Sequence, residues 1–404
     1  MRLLVIGHTA HYRHQGQIVG WGPTVKEIDW LARAFDSVTH LACFHPGPAP
    51  DSALPYAAKN VQFDFVPPAG GLTLAEKLRA FSCAPIYMRK IMKNLAKADV
   101  VQIRSPGILA MYAMVLLRYT DAQKQRWVKY AGNWMQTGKR PTSYIFQRWW
   151  LANGYCYSPV TVNGQWPDQP GFIFPFFNPS MTVEEIQTSR ALAINKQIAT
   201  PIRLLFVGRT ETAKGVGRSI QIVQGLRQRG QDVLLDIVGD GPERSKFERM
   251  AETLGLGNHV KFRGWIPHHK VHDFMTQAHI LLLPSNSSEG WPKVLSEAML
   301  HGTVPVASDV SAIPQILAQT KAGVTHEAHN IDAFVDTITG MIQNPDLWKR
   351  MSMSGMNAAP SFTYEHYLLA LDAMFTTLYG SSPLDQTTVK QMQKSLGSLG
   401  PVGV

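Results

Sequence analysis

Cysteine is scarce in this 404-residue chain. The three present, Cys43, Cys83 and Cys156, are far apart and odd in number. That excludes a disulfide framework, shows no metal-ligand spacing, and fits reduced thiols in a cytoplasm. Long apolar runs are missing too, although 45% of the residues are hydrophobic. No stretch reaches the ~18 to 20 residues of a membrane span. The opening "MRLLVIGHTA" has one basic residue and a short apolar run ending in glycine. It reads as a first strand and its turn, because a secretory leader needs a longer apolar stretch and a small-residue cleavage site. Acidic residues are lacking in one half only. Residues 1–180 hold 19 Lys+Arg against 9 Asp+Glu, whereas 181–404 hold 20 of each, so the whole formal charge of +10 lies in the first half. Such asymmetry favours an anionic partner there: acidic lipid, a charged acceptor or nucleic acid.

What is present is an alternation of strands and helices. In the first half, β-like runs occur at 3–7, 38–44, 61–66, 99–103 and 126–131; in the second, at 202–208, 232–239, 259–264, 279–284 and 303–308. Apolar strands separated by helical patterns imply parallel sheets covered on both faces. Two such units in tandem predict two doubly wound α/β domains, each with a ligand site at the carboxyl ends of its strands. The expected first domain is 1–180 and the second 201–360, with a polar boundary in 176–201. An amphipathic helix follows at 361–380, and 381–404, polar and Gly-rich, reads as a loose tail.

Three segments carry chemistry. "LLFVGRTETAKG" (204–215) puts Gly208, Arg209 and Lys214 after a buried strand, where cations suit a phosphate. "LLDIVGDGPER" (234–244) has Gly239 and Gly241 in a tight turn before a helix, half of a dinucleotide fingerprint. "ILLLPSNSSEGWPKVLSEAMLHGTVPVAS" (280–308) runs from a strand through a small polar loop to Pro292 at the start of a helix. Its backbone N–H groups near Trp291 to Val294 would form an anion site. Glu289 and Glu297 flank that start. Their separation, up to ~12 Å along a helix axis, exceeds the ~5 to 5.5 Å of a retaining hydrolytic pair. They look more like hydroxyl acceptors on either side of a bound phosphate.

These pieces, with "VKFRGWIP" and the late "SFTYEHY", closely resemble the retaining glycosyltransferases of family 4, which have the GT-B fold of two Rossmann-like domains facing a central cleft. The resemblance covers about 202–380, and its most specific element is two glutamates separated by seven residues, combined with the Arg and Lys loop. It implies transfer of a sugar from a nucleotide-diphosphate sugar with retention of configuration and without a metal or cofactor. It implies a closing helix, 361–380, that crosses back to the first domain. By the same resemblance, Arg209 and Lys214 bind the diphosphate and stabilise the leaving group. Glu297 accepts the ribose hydroxyls, and Glu289 holds the transferred sugar. Gly290, Trp291, Lys293 and Val294 offer backbone N–H groups around Pro292, which lines the donor without one, and the turn of Arg263, Trp265 and Ile266 borders the base. The family's glycine-rich phosphate loop would be "VGWGP" (19–23), with Gly20 and Gly22. Many relatives carry a histidine after the strand "WVKYA"; here "GNWMQ" (132–136) puts Asn133 or Trp134 in that acceptor-side neighbourhood.

His8, His11 and His14 are spaced by three, but no acidic or cysteine ligand accompanies them, so no metal site is expected. "PIYMRKIMKNLAKA" (85–98) is a basic amphipathic helix, with Arg89, Lys93 and Lys97 opposite a stripe of Met88, Ile91, Met92 and Leu95. It fits either an anionic membrane surface or a solvated face. The first reading is thus a cytoplasmic, metal-independent hexosyltransferase, peripheral on the inner membrane face. It would act on a glycan or lipid-linked acceptor in surface polysaccharide or glycolipid synthesis. A second keeps the fold but makes the protein a nucleotide-sugar epimerase or phosphorylase. A third is a non-catalytic binder of anionic ligands or nucleic acid; no nucleic-acid recognition motif supports it.

Overall fold

The computed structural model describes residues 1–404 apart from 72, 121–123, 136–140, 288 and 400–404. The chain divides into two compact units: Met1–Phe177 with Tyr364–Ser395, and Asn178–Thr363 with the residues from Leu396 onward.

The first unit is built on a nine-stranded sheet. Its strands are β1 (Arg2–His14), β2 (Gln17–Trp21), β3 (Ser37–Phe44), β4 (Ala53–Pro55), β5 (Val61–Val66), β6 (Val100–Ser105), β7 (Gln125–Tyr130), β8 (Val160–Val162) and β9 (Ile173–Pro175). The order β5-β3-β1-β6-β7-β8-β9 is parallel throughout, and β2 and β4 extend it antiparallel beyond the distal half of β1. Alternation along β1 sends successive side chains to opposite faces. Leu4 and Ile6 meet the helices Ala84–Leu95, Ile108–Leu117 and Thr142–Ala152. Leu3 and Val5 meet the helices Gly22–Ala32, Tyr364–Tyr379 and Gln386–Gly397. The closing helix is thus part of this unit's core, where Phe375 stands edge-on to the fully buried Trp127 at 5.4 Å.

Two sequence expectations fail here. The turn expected within "MRLLVIGHTA" is absent: β1 runs on through "HTAHYRH" to His14 and turns directly into β2, pairing His11 with Gly20. His11 is fully buried against Tyr56 and His40, which gives this polar run the inward face a strand needs. Nor is 381–404 a loose tail throughout. Gln386–Gly397 is a helix, with Val389 and Met392 in the core and the Thr388 hydroxyl donating to the Arg33 carbonyl at 3.0 Å. The last residues of that expectation, 400–404, lie outside the described ones.

The second unit is a six-stranded, wholly parallel sheet in the order β12-β11-β10-β13-β14-β15. The strands are β10 (Ile202–Val207), β11 (Val233–Val238), β12 (Val260–Gly264), β13 (Ile280–Leu283), β14 (Val304–Ser308) and β15 (Val324–His326). The near-continuous apolar runs in β10 and β13 are what burial on both faces demands. The boundary stretch carries a helix of this unit, Val183–Ala193, started by a capping box between Thr182 and Glu185. Order reverses between β10 and β13, and the loops leaving these two strands flank the switch point where doubly wound sheets bind ligands. No helix of the described residues is long and apolar enough to cross a membrane.

Candidate functional site

Past β10, the chain makes a loop and a short turn, Thr212–Lys214, before the helix Val216–Gln228. Gly239, after β11, lets the neighbouring loop close on it. A Cβ there would fall 2.0 Å from the Gly208 carbonyl oxygen, and its φ of +124° already suits only glycine. Gly241 lies against Thr210 in the same way, with a Cβ position 2.9 Å from its backbone nitrogen. Both glycines therefore serve backbone packing beneath the site. Gly239→Ala is expected to destabilise this unit by at least ~2 kcal/mol and lower its melting midpoint by about 5 °C or more. Thermal unfolding by circular dichroism measures it, and an unchanged midpoint would refute the packing role.

The loop past β13 is stitched to the Lys214 turn. Asn286 N–H donates to the Ala213 carbonyl at 3.0 Å, and the Ser285 hydroxyl donates to the same oxygen at 3.1 Å. Buried Arg218 donates to the carbonyls of Pro284, Thr212 and Ala213. Gly215 permits the approach, since a Cβ there would overlap the Pro284 carbonyl at 2.2 Å. On the other side, the Glu243 carboxylate accepts from the Thr212 hydroxyl at 2.8 Å. Lys246, Thr212 N–H and that hydroxyl hold Glu243 down at about 2. The result is that Lys214 and Glu289, 75 residues apart in sequence, form an ion pair. Burial lowers the Lys214 ammonium from its usual range, and Arg209 adds to this against the opposing field of Glu211. Arg209 itself is largely exposed, its guanidinium 2.7 Å from Glu211.

Eight residues beyond Glu289 is Glu297, in the helix Lys293–Leu300 that Pro292 introduces without a side-chain cap. Its carboxylate is buried and lies 3.2 Å from His268 Nε2. Burial would raise its pKa, but the hydrogen bond and field of His268, with His272 and Lys293, outweigh burial and hold it below its ordinary value. The site thus keeps an ionised, hydrogen-bond-accepting carboxylate inside the fold. Trp291 turns its ring inward, stacked on Phe362 at 5.4 Å. Gly290 gives its carbonyl to the Ser311 hydroxyl at 2.9 Å. Both are held in place by packing and present only backbone. Pro292, Lys293 and Val294 are half-buried. The Arg263 guanidinium is engaged by Asp236 at 2.6 Å, Trp265 beside it is exposed, and Ile266 is half-buried.

The first-unit candidates fare differently. Gly20 lies within β2 and Gly22 begins the helix Gly22–Ala32, so they do not form a loop. Close packing accounts for both: a Cβ at Gly20 would sit 2.8 Å from His11 Nε2, and one at Gly22 2.9 Å from the Ser52 carbonyl. Trp134 belongs to the hydrophobic core, edge-on to Tyr130, and has almost no surface to offer an acceptor. Buried Asn133 accepts from Met135 N–H at 3.1 Å; Gln136, the last residue of that stretch, lies outside the described ones. Among the described residues, no group of three or more His, Cys, Asp or Glu could hold a metal. Sequence reading missed Arg218, Glu243, Ser285 and His268, which position the named residues. It also missed a buried cluster in which Glu27 meets Arg104 at 2.6 Å and Lys129 at 2.7 Å.

Residues 190–357 match the family described as glycosyl transferases group 1. An uncharacterized glycosyltransferase of Haemophilus influenzae is 32% identical over 273 residues, 66% of this chain and 72% of that protein. A phosphatidyl-myo-inositol mannosyltransferase of Mycobacterium leprae is 29% identical over 162 residues, 40% of this chain and 42% of that one. Several further curated relatives align over no more than 45% of their own length. Among solved structures, HepE of Anabaena in complex with UDP superimposes with a TM-score of 0.62 over 98% of this chain and all of that one, at 16% identity. That likeness establishes the expected GT-B fold, with its two Rossmann-like domains.

Proposed function

This chain belongs to the group 1 glycosyltransferases, and from that premise we propose that it transfers a sugar from a nucleotide-diphosphate donor to an acceptor hydroxyl, with retention of configuration and without a metal. The observation that carries the proposal is the joining of Lys214 to Glu289 at the switch point, one helical segment from the ionised Glu297. A diphosphate entering there competes with Glu289 for Lys214. Arg209 and Lys214 then stabilise the charge that grows on the leaving phosphate. Glu289, released, accepts from the hydroxyls of the transferred sugar. Glu297 accepts from the ribose hydroxyls. The bond from the anomeric carbon to the phosphate oxygen breaks while the acceptor oxygen bonds to the same face, and the acceptor's proton passes to the departing phosphate. The acceptor belongs to surface polysaccharide or glycolipid synthesis; the mannosyltransferase and HepE relationships support that class and a nucleotide donor.

Calorimetric titration with UDP, GDP, ADP and their sugars tests the donor site. One nucleoside diphosphate is expected to bind, and Glu297→Ala to weaken it about 10-fold, the worth of a charge-assisted hydrogen bond. Because the Glu297 pKa lies below its ordinary value, the carboxylate stays ionised until the pH falls through that lowered pKa. Its contribution is complete above the ordinary carboxylate range and lost below it. The ratio of wild-type to Glu297→Ala affinity should therefore stay flat between about pH 5.5 and 8. Failure of every nucleotide to bind would overturn the donor site. An inverted product anomer, read by NMR, would overturn retention alone.

A further inference from the structure

Two residues of the second unit other than glycine hold left-handed backbone among the described residues, Ser311 at φ +58° and Lys321 at φ +54°. Lys321 ends the helix Ile313–Thr320, where a left-handed residue is ordinary. Ser311 has no such setting. It lies in the turn that leaves β14, closed by Ile313 N–H on the Val310 carbonyl at 3.2 Å. A positive φ at the first central position of a turn suits glycine, because a Cβ there crowds the carbonyl that follows it. Backbone strain kept at such a position points to a side chain that is needed there.

The Ser311 side chain reaches the loop past β13. Its hydroxyl donates to the Gly290 carbonyl at 2.9 Å, immediately after Glu289. A peptide unit is planar and trans, so its C=O and N–H point to opposite sides. With the Gly290 oxygen drawn toward Ser311, the Trp291 N–H of the same plane is directed away from the β14 turn. Gly290 has no Cβ and leaves this plane free to turn about its own ψ; the hydroxyl removes that freedom. The stack of Trp291 on Phe362 holds the ring, and the Ser311 bond sets the tilt of the plane before it. The other end of the loop is tied to the Lys214 turn through Ser285 and Asn286. We propose that Ser311 is a positioning residue for the nucleotide-sugar donor: its strained backbone places a hydroxyl that aims the Trp291 N–H at the donor phosphates. Glycine in its place relaxes the turn and releases the plane. The inference rests on the sugar-transfer reading.

Three variants separate the hydroxyl from the strain. Ser311→Gly loses the hydroxyl and relaxes the backbone. Ser311→Ala loses the hydroxyl and keeps the strain. Ser311→Thr keeps the hydroxyl, and its branched Cβ sharpens the strain. The full chain is titrated calorimetrically with UDP, GDP or ADP, whichever the wild type binds, and each protein is melted. Ser311→Gly and Ser311→Ala are both expected to weaken the nucleotide about 5- to 10-fold, the loss of one aligned hydrogen bond to a charged group. Ser311→Gly should nonetheless melt about 2 to 4 °C above Ser311→Ala. Ser311→Thr should melt about 2 to 4 °C below the wild type and hold its affinity within about 2-fold. A serine that merely stabilised the fold would make affinity follow the melting midpoint across the series. That result, or wild-type affinity in both Ser311→Gly and Ser311→Ala, would overturn the proposal and leave the donor site standing. Binding of no nucleotide by the wild type would overturn both.

Discussion

Lys214→Ala is expected to lower kcat by about 10²- to 10³-fold, the usual cost of deleting one preorganised donor aimed at developing charge. No other single side chain of the second unit should matter more. The reason lies in how the ammonium is held. It is pinned by the stitched loops beside Glu289, and burial already lowers its pKa, so it is poorly hydrated before the donor arrives. A diphosphate then meets a cation that has little water left to shed. The same substitution should change stability by no more than ~1 kcal/mol, because Glu289 is substantially exposed and such pairs contribute little. Donor turnover and a melting curve on the same preparation separate the two effects. A loss of activity under tenfold would remove Lys214 from the reaction.

Glu27→Ala carries the largest expected effect on folding, about 3 to 5 kcal/mol. Glu27 is almost fully buried between Arg104 and Lys129, at the ends of β6 and β7, and Lys129 also lies 4.7 Å from the ring centre of Tyr367. Removing the carboxylate takes away the anion shared by buried Lys129 and half-buried Arg104, which stand side by side on neighbouring strands. The penalty exceeds the net worth of the pairs themselves, since taking away one partner exposes the desolvation cost of the others. Urea unfolding measures it. A cost below ~1 kcal/mol would mean that water reaches the cations and that the cluster is not buried in solution.

Both predictions bear on what could be read from the residues alone. Lys214 and Glu289 were legible, because each follows a strongly apolar strand and a glycine or proline marks where the strand stops. Their meeting was not. It depends on Arg218, Ser285 and Asn286 reaching backbone carbonyls of the partner loop, and a carbonyl leaves no trace in a sequence. Glu27 was hidden for a related reason: in "TVKEIDWLA" it looks like one charge on a surface helix. Its burial follows from cations brought from strands 77 and 102 residues away. The parallel strands were plain because their apolar runs are long. The far half of β1 was not, since its inward residue is a histidine satisfied by Tyr56. In Gln386–Gly397, Val389, Met392 and Leu396 do recur at helical spacing, but three apolar residues among many polar ones read as solvent-exposed chain.

The closing segment also sets an order of synthesis. Leu3, Val5 and Trp127 are among the early residues to leave the ribosome, yet two of the three helices packed on their face begin only at Tyr364. The second unit has its own core from Ile202 to Trp348 and can close as soon as that stretch is free. The unit made first is therefore the one completed last. Through most of elongation one face of its sheet has only the helix Gly22–Ala32 to cover it, at the stage when exposed apolar surface is most prone to misassociate. A nascent chain of this architecture would draw on chaperones for its beginning rather than its end.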